Sequence, residues 1–229
     1  MRLRKKKNLA PRMERCGDVW VREPELLLGR WLLDRDLTAV HLEIGCGCGK
    51  FTVETAAAEP GALLVGIEKV PSALVRSMER AGAMGLSNAL FINGDAEKLL
   101  EMFGPGEVSR VYLNFSDPWP GRRHEKRRLT SPGFLARYAA ILAPGGEVHV
   151  KTDNRALFEY SVKQFPACGY TLEQVTTDLH GAGPVGIMTD YEAKFHEMGL
   201  AICRCVARLT APPPAGGTPP LEGKGEHND

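Results

Sequence analysis

The chain lacks any marked excess of charge: 29 Lys and Arg against 28 Asp and Glu leave a formal net charge of +1 over 229 residues. Averaged over the whole chain, that argues against a polyanionic partner, because phosphate binding draws on surplus Lys and Arg. No run approaches the ~18 consecutive apolar residues of a membrane span, so none is expected. Residues 1–7 are basic, as a secretory leader begins, but Pro11, Arg12, Glu14, Arg15 and Asp18 leave no apolar region behind them, and a cytoplasmic protein is expected. Cysteine is sparse, and Cys46/Cys48 and Cys203/Cys205 are Cys-x-Cys pairs rather than the wider spacing of zinc knuckles. They read as small turn and strand residues, and no metal site is expected. Ordinary Gly, Pro and apolar content excludes a collagen, a low-complexity polymer and a disordered acidic chain. A globular enzyme or binding domain burying roughly 70% of its unfolded surface remains.

The absence of net charge conceals its distribution. Residues 1–15 carry Arg2, Arg4, Lys5, Lys6, Lys7, Arg12 and Arg15 against Glu14 alone, a local +6. Residues 122–128, Arg-Arg-His-Glu-Lys-Arg-Arg, add +4, and residues 211–229 carry −2, so the rest of the chain sums to −7. Two basic patches sit on an acidic body. A lone run of this kind is as readily a solvated face as a binding surface.

From residue 39 onward, short β-rich apolar runs alternate with helical patterns, the signature of a mostly parallel sheet built from βαβ units with helices on both faces. Residues 40–44, 63–68, 89–93, 111–115 and 147–152 read as five strands, apolar because such a sheet is covered on both sides. Helices are expected over 50–58, 72–84, 96–103, 132–142 and 154–165, mostly bounded by Pro and Gly. Residues 170–177 and 202–209 are further strand candidates, separated by a long irregular segment of the kind that is usually functional. The division expected is a basic arm and leading helix over 1–38, one α/β domain over 39–210, and a disordered tail over 211–229, where Pro and Gly dominate.

Gly45-Cys46-Gly47-Cys48-Gly49-Lys50 places a glycine-rich turn between the first strand and a helix. Glycines allow a tight turn and close approach to a ligand. A dinucleotide fingerprint would carry its third glycine where Lys50 stands, which weakens a nicotinamide reading. Glu68 ends the second strand, where an acid commonly accepts from both ribose hydroxyls of an adenosine. Asp95 ends the third; it could accept from an adenine amino group or cap the next helix. With Glu43, these carboxyl-end acids suggest an adenosine ligand bearing a cation rather than a pyrophosphate, and S-adenosylmethionine fits.

The fourth strand runs into Ser116-Asp117-Pro118-Trp119-Pro120, a carboxylate between rigid prolines with a flat ring for stacking. Behind Gly121 lies the basic run 122–128, and an acid and aromatic for a base beside cations for phosphate favour a nucleic-acid substrate. The stretch from Leu113 to Pro120, then Arg123-His124-Glu125-Lys126-Arg127-Arg128-Leu129-Thr130, Lys151-Thr152-Asp153-Asn154 and Thr189-Asp190-Tyr191-Glu192-Ala193-Lys194-Phe195 resemble the bacterial tRNA (guanine-N7-)-methyltransferases.

That resemblance implies a Rossmann-like class I S-adenosylmethionine-dependent methyltransferase acting on a variable-loop guanine of tRNA, with no obligate protein partner. It implies cofactor contacts from Glu43, Glu68, Asp95 and Asp117, beside Gly45 and Gly47 of the turn, and a catalytic role for Asp117. It implies RNA or substrate contacts from Arg123, His124, Lys126, Arg127, Arg128, Asp153, Thr189, Asp190, Tyr191 and Glu192. The family commonly has Lys after Asp-Pro-Trp-Pro; Gly121 stands here, so that substrate contact is either missing or taken over by Arg122. His124 reads equally as a phosphate contact or a helix cap. His41 and His149 read as sheet residues, Trp20 and Trp31 as packing anchors, and Tyr191 and Phe195 as core contacts. The competing readings are an amino-group methyltransferase of adenine or cytosine, disfavoured by Trp119 where that loop has a second proline, and a non-catalytic RNA-binding module.

Overall fold

The computed structural model describes residues 8–210; the arm over 1–7 and the tail over 211–229 lie outside the described residues. Among the described residues, eight strands form one sheet: β1 (Trp20–Val21), β2 (Ala39–Ile44), β3 (Ala62–Glu68), β4 (Ala89–Asn93), β5 (Val108–Asn114), β6 (Leu142–Thr152), β7 (Tyr170–Thr176) and β8 (Cys203–Leu209). Their spatial order is β1-β4-β3-β2-β5-β6-β8-β7, parallel from β1 to β6, with β8 antiparallel to both β6 and β7. The helices are α1 (Leu9–Glu14), α2 (Lys50–Ala58), α3 (Pro71–Ala83), α4 (Leu99–Met102), α5 (Pro132–Ile141), α6 (Arg155–Ala167) and α7 (Asp190–Glu197).

The chain moves outward from β2 through β3 and β4, then returns to build β5 and β6 on the opposite side of β2. The carboxyl ends of β2 and β5 therefore border the topological switch point, where open α/β sheets bind ligands. Strand alternation creates two cores. Val40, Leu42, Ile44, Val111 and Leu113 face Leu99, Phe134, Tyr138, Phe158 and Phe165 of α4, α5 and α6. On the other face, Leu64, Phe91 and Tyr112 meet Phe51 and Val53 of α2 and Leu74, Val75 and Met78 of α3.

That second face also carries the polar residues His41, Arg110, Glu147 and His149. Arg110 bonds the Tyr112 hydroxyl at 2.9 Å, and His149 Nε2 lies 2.8 Å from Glu147. Burial, then the neighbouring positive charge of Arg110, pulls the His41 pKa down to about 4. Burial likewise lowers His149 to about 4, although Glu147 opposes it. Both imidazoles are neutral sheet residues at pH 7.

Several elements differ from expectation. The fourth central strand is Val108–Asn114, because Phe115 leaves the strand at φ 54°. Residues 96–103 form a 3-10 turn, Ala96–Lys98, followed by the short α4, because Asp95 caps a tight first turn. Residues 142–146 enter β6 directly from α5, with Leu142 pairing Val108 before the register shifts. The two-residue β1 pairs with β4, and Trp31, 1% exposed, stacks on Phe103 and donates its indole N–H to Met102 O at 2.8 Å. Residues 20–31 thus pack on the same sheet.

Candidate active site

The turn after β2 folds back across the end of β3: Gly45 and Cys46 N–H both donate to Ile67 O, at 2.8 and 3.1 Å. Gly49 enters α2 at φ +75°, and a Cβ there would lie 2.5 Å from Ser77 Cβ on α3, so only glycine lets the turn seat against that helix. Ser77 Oγ fixes it further by donating to Gly47 O at 2.8 Å.

The acids around this turn do different things. Glu43 is 2% exposed and accepts from the Thr52 hydroxyl and from Asn114 Nδ2, the latter at 2.9 Å. Burial raises its pKa, opposed by those hydrogen bonds and by Lys151. It braces β2, α2 and β5 together behind the turn. Glu68 accepts from Gly47 N–H at 3.0 Å and Val70 N–H at 2.8 Å, which fixes its carboxylate at the end of β3. Asp95 accepts from Glu97 N–H at 3.0 Å and pairs with Lys69 at 2.7 Å. Burial raises its pKa, but the Glu97 N–H and the Lys69 ammonium outweigh this and leave it below the ordinary carboxylate value.

Asp117 stands exposed on the loop after β5. The loop is strained at both ends: Phe115 has φ 54° and Trp119 φ 42°, left-handed values that side chains adopt at a cost of about 1–3 kcal/mol each. The basic run behind it forms a 3-10 turn, Arg122–Arg127. Arg127 lies over the Trp119 ring at 3.6 Å, and Arg123 Nε donates to His124 Nε2 at 3.0 Å. Arg122 and Arg123 are exposed.

Across the crevice, α7 begins with a capping box: Glu192 N–H donates to Thr189 Oγ1 at 2.9 Å and Thr189 N–H to Glu192 Oε2 at 3.2 Å. Glu192 is 0% exposed and also binds Lys151 Nζ, at 2.9 and 3.0 Å, and His180 Nε2 at 2.9 Å. Burial lowers the Lys151 pKa, and attraction to Glu192 only partly opposes that.

Two cavities meet at the switch point. One, about 520 Å³, is lined by Gly45, Gly47, Asp117, Asp153, Thr189 and Tyr191 among others. The second, about 430 Å³, is lined by Ile67, Glu68, Asp95, Asp117, Trp119 and Phe134 among others. Gly45 and the segment 114–117 line both, so Asp117 stands where the lobes join.

The methyltransferase family model Methyltransf_4 matches residues 38–205. The chain is 45% identical over 210 residues to the tRNA (guanine-N(7)-)-methyltransferase of Geobacillus kaustophilus (strain HTA426), covering 90% of this chain and 96% of that protein. It is 42% identical over 207 residues to the protein of that name from Bacillus velezensis (strain DSM 23117 / BGSC 10A6 / LMG 26770 / FZB42), covering 89% and 95%. The chain belongs to the tRNA (guanine-N(7)-)-methyltransferase family.

Two solved structures share its fold. The 16S rRNA methyltransferase KamB matches with TM-score 0.59 and 19% identity over 77% of this chain and 90% of that one. TrmN from Thermus thermophilus matches with TM-score 0.55 and 22% identity over 81% of this chain and 48% of that one. The fold is that of a Rossmann-like class I methyltransferase, and family and fold together imply use of S-adenosylmethionine.

In this tRNA (guanine-N(7)-)-methyltransferase family member, the residues expected at the site divide into two groups. Gly45, Gly47, Glu68, Asp95, Asp117, Asp153, Thr189, Asp190 and Tyr191 line the joined cavities. Glu192 does not: its carboxylate is enclosed by Lys151, His180 and Thr189. Glu43 reaches the cavity wall but is buried and bonded within the sheet. Arg128 also turns inward, onto the carbonyls of Pro118 and Trp119. Tyr191 is not a core residue; 45% exposed, it stacks on Phe195 at 4.3 Å and meets Phe115 at 5.1 Å on the cavity rim. Lys50 was not anticipated: it donates to Met188 O at 2.9 Å, tying the start of α2 to the segment before α7. Lys151 and His180 were missed too; the Thr-x-x-Glu spacing at 189–192, a capping-box signature, was the available signal that Glu192 folds back on its own helix.

Proposed function

We propose that the protein transfers a methyl group from S-adenosylmethionine to N7 of a guanine in the variable loop of tRNA. The observation that carries this reading is the exposed Asp117 carboxylate at the junction of two lobes, one edged by Glu68 and Asp95 and the other by Asp153, Thr189 and Tyr191. The donor set suits the cofactor: Glu68 is held rigid by two backbone N–H groups, and the acids around the crevice favour a cation over a pyrophosphate. Glu68 would take the ribose hydroxyls, Asp95 the adenine amino group, and the Gly45 to Gly47 backbone the amino-acid end. When bound, S-adenosylmethionine supplies a methyl group activated by a positively charged sulfur.

Guanine N7 carries an in-plane lone pair and no proton, so no side chain needs to act as general base. The work left to the chain is alignment of the acceptor, a form of catalysis that reaches many kcal/mol when the reacting atoms are correctly placed. On this reading Asp117 accepts from the guanine N1 or amino hydrogens and so turns N7 toward the joined lobes. Asp153, Thr189, Asp190 and Tyr191 wall the base, and Arg122, Arg123, His124, Lys126 and Arg127 meet phosphates. The protein then acts in the cytoplasm, with its tRNA substrate.

The test is methyl transfer to tRNA transcripts carrying guanosine or 7-deazaguanosine in the variable loop. Transfer is expected only to guanosine. Undiminished transfer to the 7-deaza transcript would refute N7 as the acceptor.

A further inference from the structure

Arg128 ends the basic run, yet its guanidinium faces the protein. Nε donates to Pro118 O at 3.2 Å and to Trp119 O at 3.4 Å, Nη2 donates to Trp119 O at 3.3 Å, and the group lies 4.3 Å from the Tyr160 ring centroid of α6. The carbonyls it holds flank the left-handed Trp119 and follow Asp117 directly. An arginine fork holds two adjacent carbonyls from donors fixed in one plane, a geometry that the point charge of an ammonium on its flexible stem does not pre-organise.

The rest of the turn is tied to the domain from the other side. Ser131 N–H donates to Arg128 O at 2.9 Å, the Ser131 hydroxyl to Lys126 O at 3.2 Å, and the Tyr138 hydroxyl to Leu129 O at 3.0 Å. Arg127, next to Arg128, covers one face of Trp119. The Asp117 loop and the basic turn are thus bolted into one unit, with Arg127 over the Trp119 ring and Arg128 hydrogen-bonded to the loop's backbone.

We propose that Arg128 is a positioning residue rather than a phosphate ligand: it holds the strained Asp117-Pro118-Trp119 segment in register with the basic turn, so that RNA docked on the turn presents its guanine at the Asp117 carboxylate. This rests on the function proposed above. Misplacement of a reacting group by ~1 Å costs about a hundred-fold in rate. Loss of one phosphate contact instead weakens binding at all sequences and lowers the salt slope by about one.

The experiment compares wild type, Arg128→Ala and Arg128→Lys with tRNA transcripts, measuring kcat at saturating tRNA, tRNA Kd at several salt concentrations, and rescue of Arg128→Ala by added guanidinium ion below denaturing concentration. Both variants should lose about a hundred-fold in kcat while tRNA affinity and its salt slope stay at wild-type values, and guanidinium should restore part of the Arg128→Ala rate. The proposal is overturned if kcat is unchanged and the salt slope falls by about one in Arg128→Ala but not in Arg128→Lys, the pattern of a phosphate ligand. It is equally overturned if both variants keep wild-type kcat and affinity. Should Arg128→Ala not fold, Arg128→Lys decides by the same split between kcat and Kd. Failure of the wild type to methylate guanosine transcripts refutes the proposed function; a wild-type enzyme that works beside variants that work equally refutes only the role of Arg128.

Discussion

Removing the Glu192 carboxylate probes the buried clamp beneath α7. In Glu192→Ala, the Lys151 ammonium, 8% exposed, loses its bonded carboxylate and keeps Ile187 O at 2.9 Å as acceptor, and both His180 Nε2 and Thr189 N–H lose theirs. Breaking a buried ion pair from one side costs about 3–5 kcal/mol, because the remaining charge is stranded. That is a large share of a total stability of roughly 5–15 kcal/mol. The expected fall in Tm is about 10 °C for a chain of this size. Glu192→Gln keeps the shape but gives up the charge, for about 1.5–3 kcal/mol. Combining Glu192→Leu with Lys151→Met removes both charges and should cost less than Glu192→Ala alone, so that the two sites couple by more than ~1 kcal/mol. Urea unfolding with an unchanged m-value measures each term. If Glu192→Gln unfolds within ~0.5 kcal/mol of wild type while tRNA binding collapses, the reasoning is refuted and Glu192 is a substrate ligand after all.

Gly49→Ala should destabilise the fold by about 1–3 kcal/mol and abolish cofactor binding, since its Cβ meets the Ser77 backbone and its φ is +75°; an unchanged Tm with normal titration of S-adenosylmethionine by calorimetry would contradict this. His41 and His149 bind fewer protons in the folded state than unfolded between their ordinary 6.5 and their folded pKa of about 4, so stability falls as pH drops from 6.5 and levels off below 4. Each contributes about 3 kcal/mol at most to that loss, and His149→Phe should flatten the pH dependence of the urea midpoint. Asp117→Asn is expected to lower kcat about a hundred-fold with tRNA Kd little changed, and near-normal turnover would remove Asp117 from guanine placement. Replacing the exposed Arg122 and Arg123 by Ala should lower the salt slope of tRNA binding by about two, and an unchanged slope would take them off the RNA.

The parts of the fold written as apolar alternation were legible in the sequence: β2, β3 and β4 lie within a residue of where hydrophobic runs and Gly or Pro boundaries put them. What escaped depends on partners distant in the chain. β1 is two residues long and exists as a strand only because β4 lies beside it. The inward turn of Arg128 follows from the position of two carbonyls on another loop, and nothing in a run of basic residues distinguishes the inward one from its neighbours. Glu192 and Glu43 have the residue type of ligands and the burial of braces, and burial is set by Lys151 and Asn114, far away in sequence. The Asp117 loop was legible because its chemistry is contiguous: strand end, carboxylate, proline, ring and cations fall within 18 residues from Val111 to Arg128.

The placement of β8 bears on how the protein is made. Among the described residues, the strand latest in the chain is an inner one, paired along one side to β6 and along the other to β7. Until it leaves the ribosome, β6 presents an unpaired edge and β7 has no neighbour in the sheet. A nascent chain can assemble β1 to β6, on both sides of the ligand crevice, early, but it cannot add β7 to the sheet until β8 arrives. A chain ended ten residues before Leu209 lacks β8 and should leave β6 and β7 as open edges, exposed to proteases and aggregation.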